Sequence, residues 1–258
     1  MSWVYDYSVG PPGGSLTSLL TYCSMVRIDA EWSDGYRGSD PIGQYQHGEV
    51  SSPRKFHPGA NFNVEVHLLD TNSSGTVTHA DGRAGHLYEN FSAIKALFAG
   101  GQDSLVRIER DAPDQGAVYL DCFQVGRAAP TQDRLTYSFP MRAPHPFWVG
   151  AADTGNSPPT LTVAGDAPID DMVIDFTGGT DARLTRGTDY IEIVGAVPAG
   201  GVRVDVGAGT CVRITGGTDY SNNLRVYSPW WMELDPGANT VSLSGGGSVS
   251  VDWYTKWR

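Results

Sequence analysis

The sequence predicts a mainly β protein with one amphipathic helix and a β-sandwich in its second half. Three observations carry that expectation. Apolar and polar residues alternate with period 2 in many short runs. Apolar residues fall at helical spacing once, at Leu87, Phe91, Ile94 and Phe98. Beyond residue 150 no helical pattern occurs, only short strand candidates between Gly, Asp and Pro clusters, as a sandwich requires.

The first 20 residues are rich in Gly, Pro and Ser and predict an arm or loop, followed by a candidate strand over 25–32. In NFNVEVHLLD, residues 61–70, Phe62, Val64, Val66 and Leu68 share one face and Asn63, Glu65 and His67 the other. The helix is expected over 84–99, with Asp81 near its start and Gly100 and Gly101 as its stop. A hairpin follows, its strands at 105–110 and 117–125 around the turn APDQG. DRLTYSFPM then puts Leu135, Tyr137, Phe139 and Met141 on one face. The Gly, Pro and polar content of residues 151–159 predicts a boundary between an N-terminal domain, 1–150, and a C-terminal one, 151–258.

Near the C-terminus, LDPGANTVSLSGGGSVSVDW reads as a hairpin. Val241 and Leu243 give one strand an apolar face, and Val249, Val251 and Trp253 give one to the other. Glycines 245–247 form the turn, and Pro236, Gly237 and Asn239 set the corner before it. A lone hairpin is marginal in water, so its apolar face must lie on another sheet. The motif TGGTD occurs at 177–181 and again at 215–219. One pair of copies is too little for a solenoid or propeller. A calcium loop on Asp181 and Asp219 would need the D-x-D-x-D-G spacing, which is missing. Two hairpins closed by the same glycine turn are the expectation.

Composition excludes several function classes. Lys and Arg total 18 against 29 Asp and Glu, for a net charge of −11 spread over both halves, which disfavours nucleic acid. Cys23, Cys122 and Cys211 are odd in number and far apart, which suits free thiols in a reducing compartment. The N-terminus lacks the pattern of a signal peptide, and no apolar run is long enough to span a membrane, so synthesis in a cytoplasm is expected. No nucleophile elbow, zinc-protease helix, phosphate loop or dinucleotide fingerprint occurs. No catalytic residue and no cofactor is therefore assigned. His47, His57, His67, His79 and His86 match no zinc spacing, and no metal ligand is assigned among them. Asp170 and Asp171 could in principle serve a glycosidase, but solvated loop carboxylates are the default. Trp230 and Trp257 are candidate binding-surface aromatics, weighed against core packing.

The order of elements resembles a known family. A glycine-rich start, alternating strands, one helix, a hairpin, and the segment FPMRAPHPFW at 139–148 resemble the N-terminal domain of siphophage distal tail (Dit) proteins. PPTLTVAGDAPIDDMVIDFTG at 158–178 resembles that family's entry strand and G-N/D-A-P turn. WWMELDPGANTVSLSGGGSVSVDWYTKW resembles its closing L-x-P-G-x-N hairpin. The resemblance implies an N-terminal ring-forming belt domain and a C-terminal galectin-like β-sandwich. It implies a homohexamer at the phage tail tip that connects the tail tube to the hub and receptor-binding apparatus, with tail tube, tape measure and hub or receptor-binding proteins as partners. Such a protein is a structural component of the virion, synthesised in the host cytoplasm, and not an enzyme. Two other classes stay open from the residues alone: a carbohydrate-binding sandwich module, on its aromatics, and a glycoside-processing enzyme, on its abundant carboxylates.

Overall fold

The structure is a computed structural model that describes residues 6–30, 37–38, 55–56, 59–72, 76–77, 85–99, 104–112, 115–131, 135–227 and 232–257. The chain divides into two compact units, Met1–Gly35 with His57–Trp148, and Tyr36–Phe56 with Val149–Arg258. In chain order the first strands are β1 (Tyr7–Gly10), β2 (Thr17–Ser18), β3 (Cys23–Ala30), β4 (Arg37–Gly38), β5 (Lys55–Phe56) and β6 (Ala60–Leu68). The helix α1 (Leu87–Phe98) follows, then β7 (Val106–Ala112), β8 (Gly116–Gln124), β9 (Ala129–Pro130) and β10 (Thr136–Ala143). The mainly β architecture and its helix are thus as the sequence predicts.

In the first unit the strands run β2-β1-β7-β8-β10-β6-β3, with neighbours antiparallel. The expected hairpin is β7–β8, paired from Val106↔Cys122 to Ala112↔Gly116. Strand β6 follows its alternation, with Phe62, Val64, Val66 and Leu68 buried. Helix α1 lies on the sheet through aromatic contacts, Phe98 to Phe139 at 4.8 Å and Phe91 to Tyr137 at 4.3 Å between ring centroids. Ile94 and Phe98 are fully buried, while Leu87 and Phe91 are half-buried. Buried Asn90 was not part of the expected face. Its amide donates to the carbonyls of Leu69 (2.7 Å) and Thr71 (2.9 Å), which satisfies a polar group that burial would otherwise penalise. The helix begins at Leu87, three residues later than the expected bound of 84, and the N–H of His86, at its N-cap, is held by the Asp70 carboxylate (3.1 Å). Asp81, Gly100 and Gly101 lie outside the described residues.

The second unit contains β11 (Trp148–Asn156), β12 (Thr160–Val163), β13 (Val173–Thr177), β14 (Thr180–Arg186), β15 (Asp189–Ala196), β16 (Val202–Asp205) and β17 (Thr210–Arg213). Its last strands are β18 (Leu224–Tyr227), β19 (Gly237–Thr240), β20 (Ser242–Ser244) and β21 (Ser248–Trp257). The segment 151–159, read as a boundary on its Gly, Pro and polar content, is strand through Asn156, next to β21. One sheet runs β17-β16-β13-β21-β11, a second runs β18-β15-β14-β20, and β12 pairs with β19. The sheets share one core that includes Leu161, Ile174, Phe176, Leu184, Ile191 and Trp253.

The C-terminal hairpin is corrected. Strand β20 pairs with β14, and β21 pairs with β13, so the two arms belong to different sheets. Their apolar residues still meet in the core, where Val241, Val249, Val251 and Trp253 are buried and Leu243 is half-buried against them. Alternation reports which face of a strand is apolar but not which strand lies beside it. The three glycines have φ of 82°, 74° and 78° and turn the chain from one sheet to the other.

Candidate functional site

Two of the three segments that carry the sequence resemblance, those at 158–178 and 230–257, converge at one place in the second unit. In GDAPIDD, the N–H groups of Asp166 (3.2 Å) and Ala167 (3.3 Å) both donate to the carbonyl of Lys256 on β21. Three residues later Ile169 exchanges two 2.9 Å backbone hydrogen bonds with Leu234, the first residue of LDPGAN. Both side chains are fully buried. Asn239, itself buried, closes that second motif: its carbonyl oxygen accepts from the N–H of Asp235 (3.0 Å). Its amide donates to the carbonyls of Asp235 (2.7 Å) and Gly237 (3.1 Å). Pro236 and Gly237, with φ of 90° at the glycine, form the loop that Asn239 clamps.

The same junction holds a buried cation. Lys256 Nζ lies 2.6 Å from Asp170 Oδ1 and 3.0 Å from Asp171 Oδ1, and its side chain is 7% exposed. Burial alone would push the ammonium down, but the two carboxylates outweigh it and hold Lys256 above its ordinary value. Both aspartates are loop carboxylates that stay partly exposed, at 37% and 48%, and serve in addition as counter-ions to Lys256. Periodicity could not find Lys256: it shares a strand face with exposed Tyr254, and is buried because the loop after β12 lies across it.

The other candidate ligand groups are occupied by local structure. Asp181, with φ of 51°, accepts a 2.7 Å hydrogen bond from the Gly195 N–H. Asp219 accepts from the N–H and hydroxyl of Ser221 (2.9 and 2.6 Å), which together hold its carboxyl below the usual range. His67 Nδ1 lies 3.0 Å from the Thr136 hydroxyl. No group of three or more His, Cys, Asp or Glu suited to a metal ion occurs among the described residues. All three cysteines are free and buried, and burial pushes the thiols of Cys23 and Cys122 up to about 12 and that of Cys211 to about 11. They are poor nucleophiles. Trp257 is half-buried on β21, and Trp230 lies outside the described residues. No described helix is long and apolar enough to cross a membrane.

In the first unit a groove of about 770 Å³ lies beside α1. Phe91 and Phe98 supply apolar walls, Lys95 and Arg127 two cations, and half-exposed Val125 an apolar rim.

Over its whole length the architecture matches a solved structure. The crystal structure of the SPP1 Dit protein, described as a paradigm of the hub adsorption apparatus in phages that infect Gram-positive hosts, aligns with a TM-score of 0.61 at 17% identity. The match covers 98% of this chain and 99% of that one. The chain has a Dit-like fold. The phage p2 baseplate in its activated conformation aligns at a TM-score of 0.39 and 13% identity, over 97% of this chain and 98% of that one. The tail of an empty GTA particle aligns at 0.29 and 12% identity, over 54% and 90%. No protein-family model and no curated protein matches the chain. Within the second unit the GDAP loop, the LDPGAN loop and Lys256 form one structural clasp.

Proposed function

We propose that this chain is a structural component of a phage tail tip. Its N-terminal domain, residues 1–150, forms a hexameric ring around the tail axis, and its C-terminal sandwich, residues 151–258, decorates the outside. The ring joins the tail tube to the hub and receptor-binding apparatus, with tail tube, tape measure and receptor-binding proteins as neighbours. The observation that carries this reading is the match of both units, in order and over 98% of the chain, to the Dit hub protein of SPP1. A partial match would support only a shared sandwich. The surface chemistry supports assembly: a net charge of −11 suppresses contact with nucleic acid, and the groove beside α1 sets two cations in an apolar wall suited to a protein partner.

Cryo-electron microscopy of purified tails, with this chain carrying a C-terminal label, tests the proposal. Six labels arranged around the axis at the distal end are expected. A single label off the axis, or labels along the tube, would overturn it. Native mass spectrometry of the chain with its neighbouring tail proteins should show six copies in the assembled complex.

A further inference from the structure

The groove beside α1 holds two cations that an acidic chain leaves unpaired. With 18 Lys and Arg against 29 Asp and Glu, carboxylates are in excess, and Arg107, Arg183, Arg186, Arg203 and Lys256 each take at least one. Lys95 and Arg127 take none. Both are exposed in the groove, neither side chain makes a hydrogen bond or ion pair with a described residue, and no carboxylate is among the described lining residues. Lys95 lies in the last turn of α1, where a cation complements the helix dipole, but Arg127, in the loop after β8, has no such local role.

Apolar groups surround these cations. Buried Phe98 forms the floor, half-buried Phe91 the helix wall, and exposed Val125 the rim on the loop side. Tyr88, at 79% the most exposed large apolar side chain described, precedes Phe91 by three residues and Lys95 by seven, so it continues the same side of the helix. The remaining polar side chain of the lining, Gln124, is folded back, its amide donating to the Gly126 carbonyl at 2.6 Å. From Phe91 to Phe98 the wall runs roughly 10 Å along the helix, the span of about three extended residues.

We propose that this groove docks an acidic-apolar peptide segment of a neighbouring tail-tip protein, in which carboxylates alternate with aromatic or branched aliphatic side chains. The alternation follows from the site. An extended segment points successive side chains to opposite sides, so the apolar ones enter over Phe91 and Phe98 while the carboxylates stay at the rim, where the long Lys95 and Arg127 side chains are exposed. Nucleic acid fits poorly, because two cations in an apolar wall on a chain of net charge −11 neutralise few phosphates. A second copy of this chain also fits poorly. Among the described exposed large apolar side chains only Tyr88 has a carboxylate next to it in sequence, Glu89, and both lie on α1 itself. The assignment deepens the tail-tip reading and rests on it for the neighbour, but not for the chemistry of the groove.

The test uses the full chain and four capped synthetic peptides of equal length: DLEFDLEF, its neutral and basic counterparts SLQFSLQF and KLRFKLRF, and DSEGDSEG, which keeps the acids without the apolar anchors. NMR shifts of the backbone amides at 98–99 and 124–128 read the groove itself. DLEFDLEF is expected to bind there with a Kd of about 0.1–1 mM at low salt, and the other three ~10-fold more weakly or not at all. Lys95→Met and Arg127→Met, exposed changes with no partner to lose, should each weaken it ~3-fold, and salt at about 0.5 M should weaken it in the wild type. Lys95→Glu combined with Arg127→Glu should reverse the order of the acidic and basic peptides. Arg225→Ala, which removes an exposed cation from the second unit, should change nothing. The proposal is overturned if the neutral peptide or DSEGDSEG binds as tightly as DLEFDLEF, if neither cation matters, or if no peptide moves these amides. Salt-sensitive self-association of the chain alone, measured by sedimentation and abolished by Arg127→Glu, would put a second copy in the groove and overturn the choice of partner. Six labels at the tail tip without peptide binding would remove the groove assignment and keep the tail-tip reading, and peptide binding with labels elsewhere would do the reverse.

Discussion

The two TGGTD segments have the same five residues and opposite jobs. At 215–219 the motif is a turn within one sheet: Arg213 N–H donates to Thr218 O (2.8 Å), Tyr220 N–H donates to Cys211 O (2.8 Å), and Gly216 and Gly217 make the reversal. At 177–181 it is a crossing between sheets, since β13 before it pairs with β16 and β21 whereas β14 after it pairs with β15 and β20. The glycine pair has positive φ in both copies, so the local conformation follows the sequence. What differs is the surroundings. The first copy packs on the second glycine corner, with Thr180 N–H donating to Gly245 O at 2.8 Å, whereas a side chain at Gly217 would meet nothing. Glycine runs determine where a chain can turn, and the core determines which sheet it turns into.

The strongest way to break that comparison is to attack the core that both arms of the corner share. Val251 on β21 is fully buried, while its neighbour Ser250 faces the other way. Val251→Asn strands an amide among Ile174, Leu184 and Phe176 and should cost about 4 kcal/mol, and Ser250→Asn should stay within about 0.5 kcal/mol. Urea unfolding of the two full-length variants checks this. Equal midpoints would mean that β21 does not face the core and that the sheet crossing is wrongly placed.

The two motif copies can be set against each other with one substitution. Gly179 has φ of 90°, and a β-carbon there would run into the main chain at Gly246. Gly217 has φ of 62° and open space around it. Gly217→Ala should therefore cost only the left-handed penalty of about 1 kcal/mol, and Gly179→Ala about 2–3 kcal/mol because the second corner must move as well. Thermal unfolding of both variants should show the larger drop for Gly179→Ala. A reversed order would make 215–219 the packed corner.

How much was legible follows the same division. Local rules worked at the period-2 face of β6, the 3.6-residue face of α1 and the β7–β8 hairpin, whose turn is short enough to force the pairing, but the Gly, Pro and Ser content of residues 1–20 predicted an arm or loop where Tyr7–Gly10 is a buried strand paired with β7. The arms around glycines 245–247 looked like that hairpin and were not, because three left-handed glycines can end a hairpin or change sheets with the same dihedrals. The motif junction was half-visible. Asn239 follows from the L-x-P-G-x-N pattern, since asparagine side chains fold back on nearby backbone. Lys256 does not, because its burial depends on a loop almost 90 residues away, and nothing in alternation foretells that contact.

Lys256 also gives the smallest and most conditional prediction. It sharpens the comparison by asking whether a buried polar clasp holds the sandwich as firmly as the glycine corners do. Removing the ammonium leaves Asp170 and Asp171 side by side, but they are 37% and 48% exposed and water relieves much of their repulsion. Lys256→Met also fills the site with an apolar chain, so the net loss at neutral pH should be about 1 kcal/mol. Its pH dependence has a definite sign. The folded chain holds the Lys256 proton more tightly than the unfolded chain. The charge contributes fully below the unfolded lysine value of ~10.4 and is lost as pH rises through the folded value. Urea midpoints of wild type and Lys256→Met should differ by a constant amount from about pH 7 to 9 and converge above about pH 10.5. A gap that widens at high pH would show that the ammonium is not what the two aspartates hold.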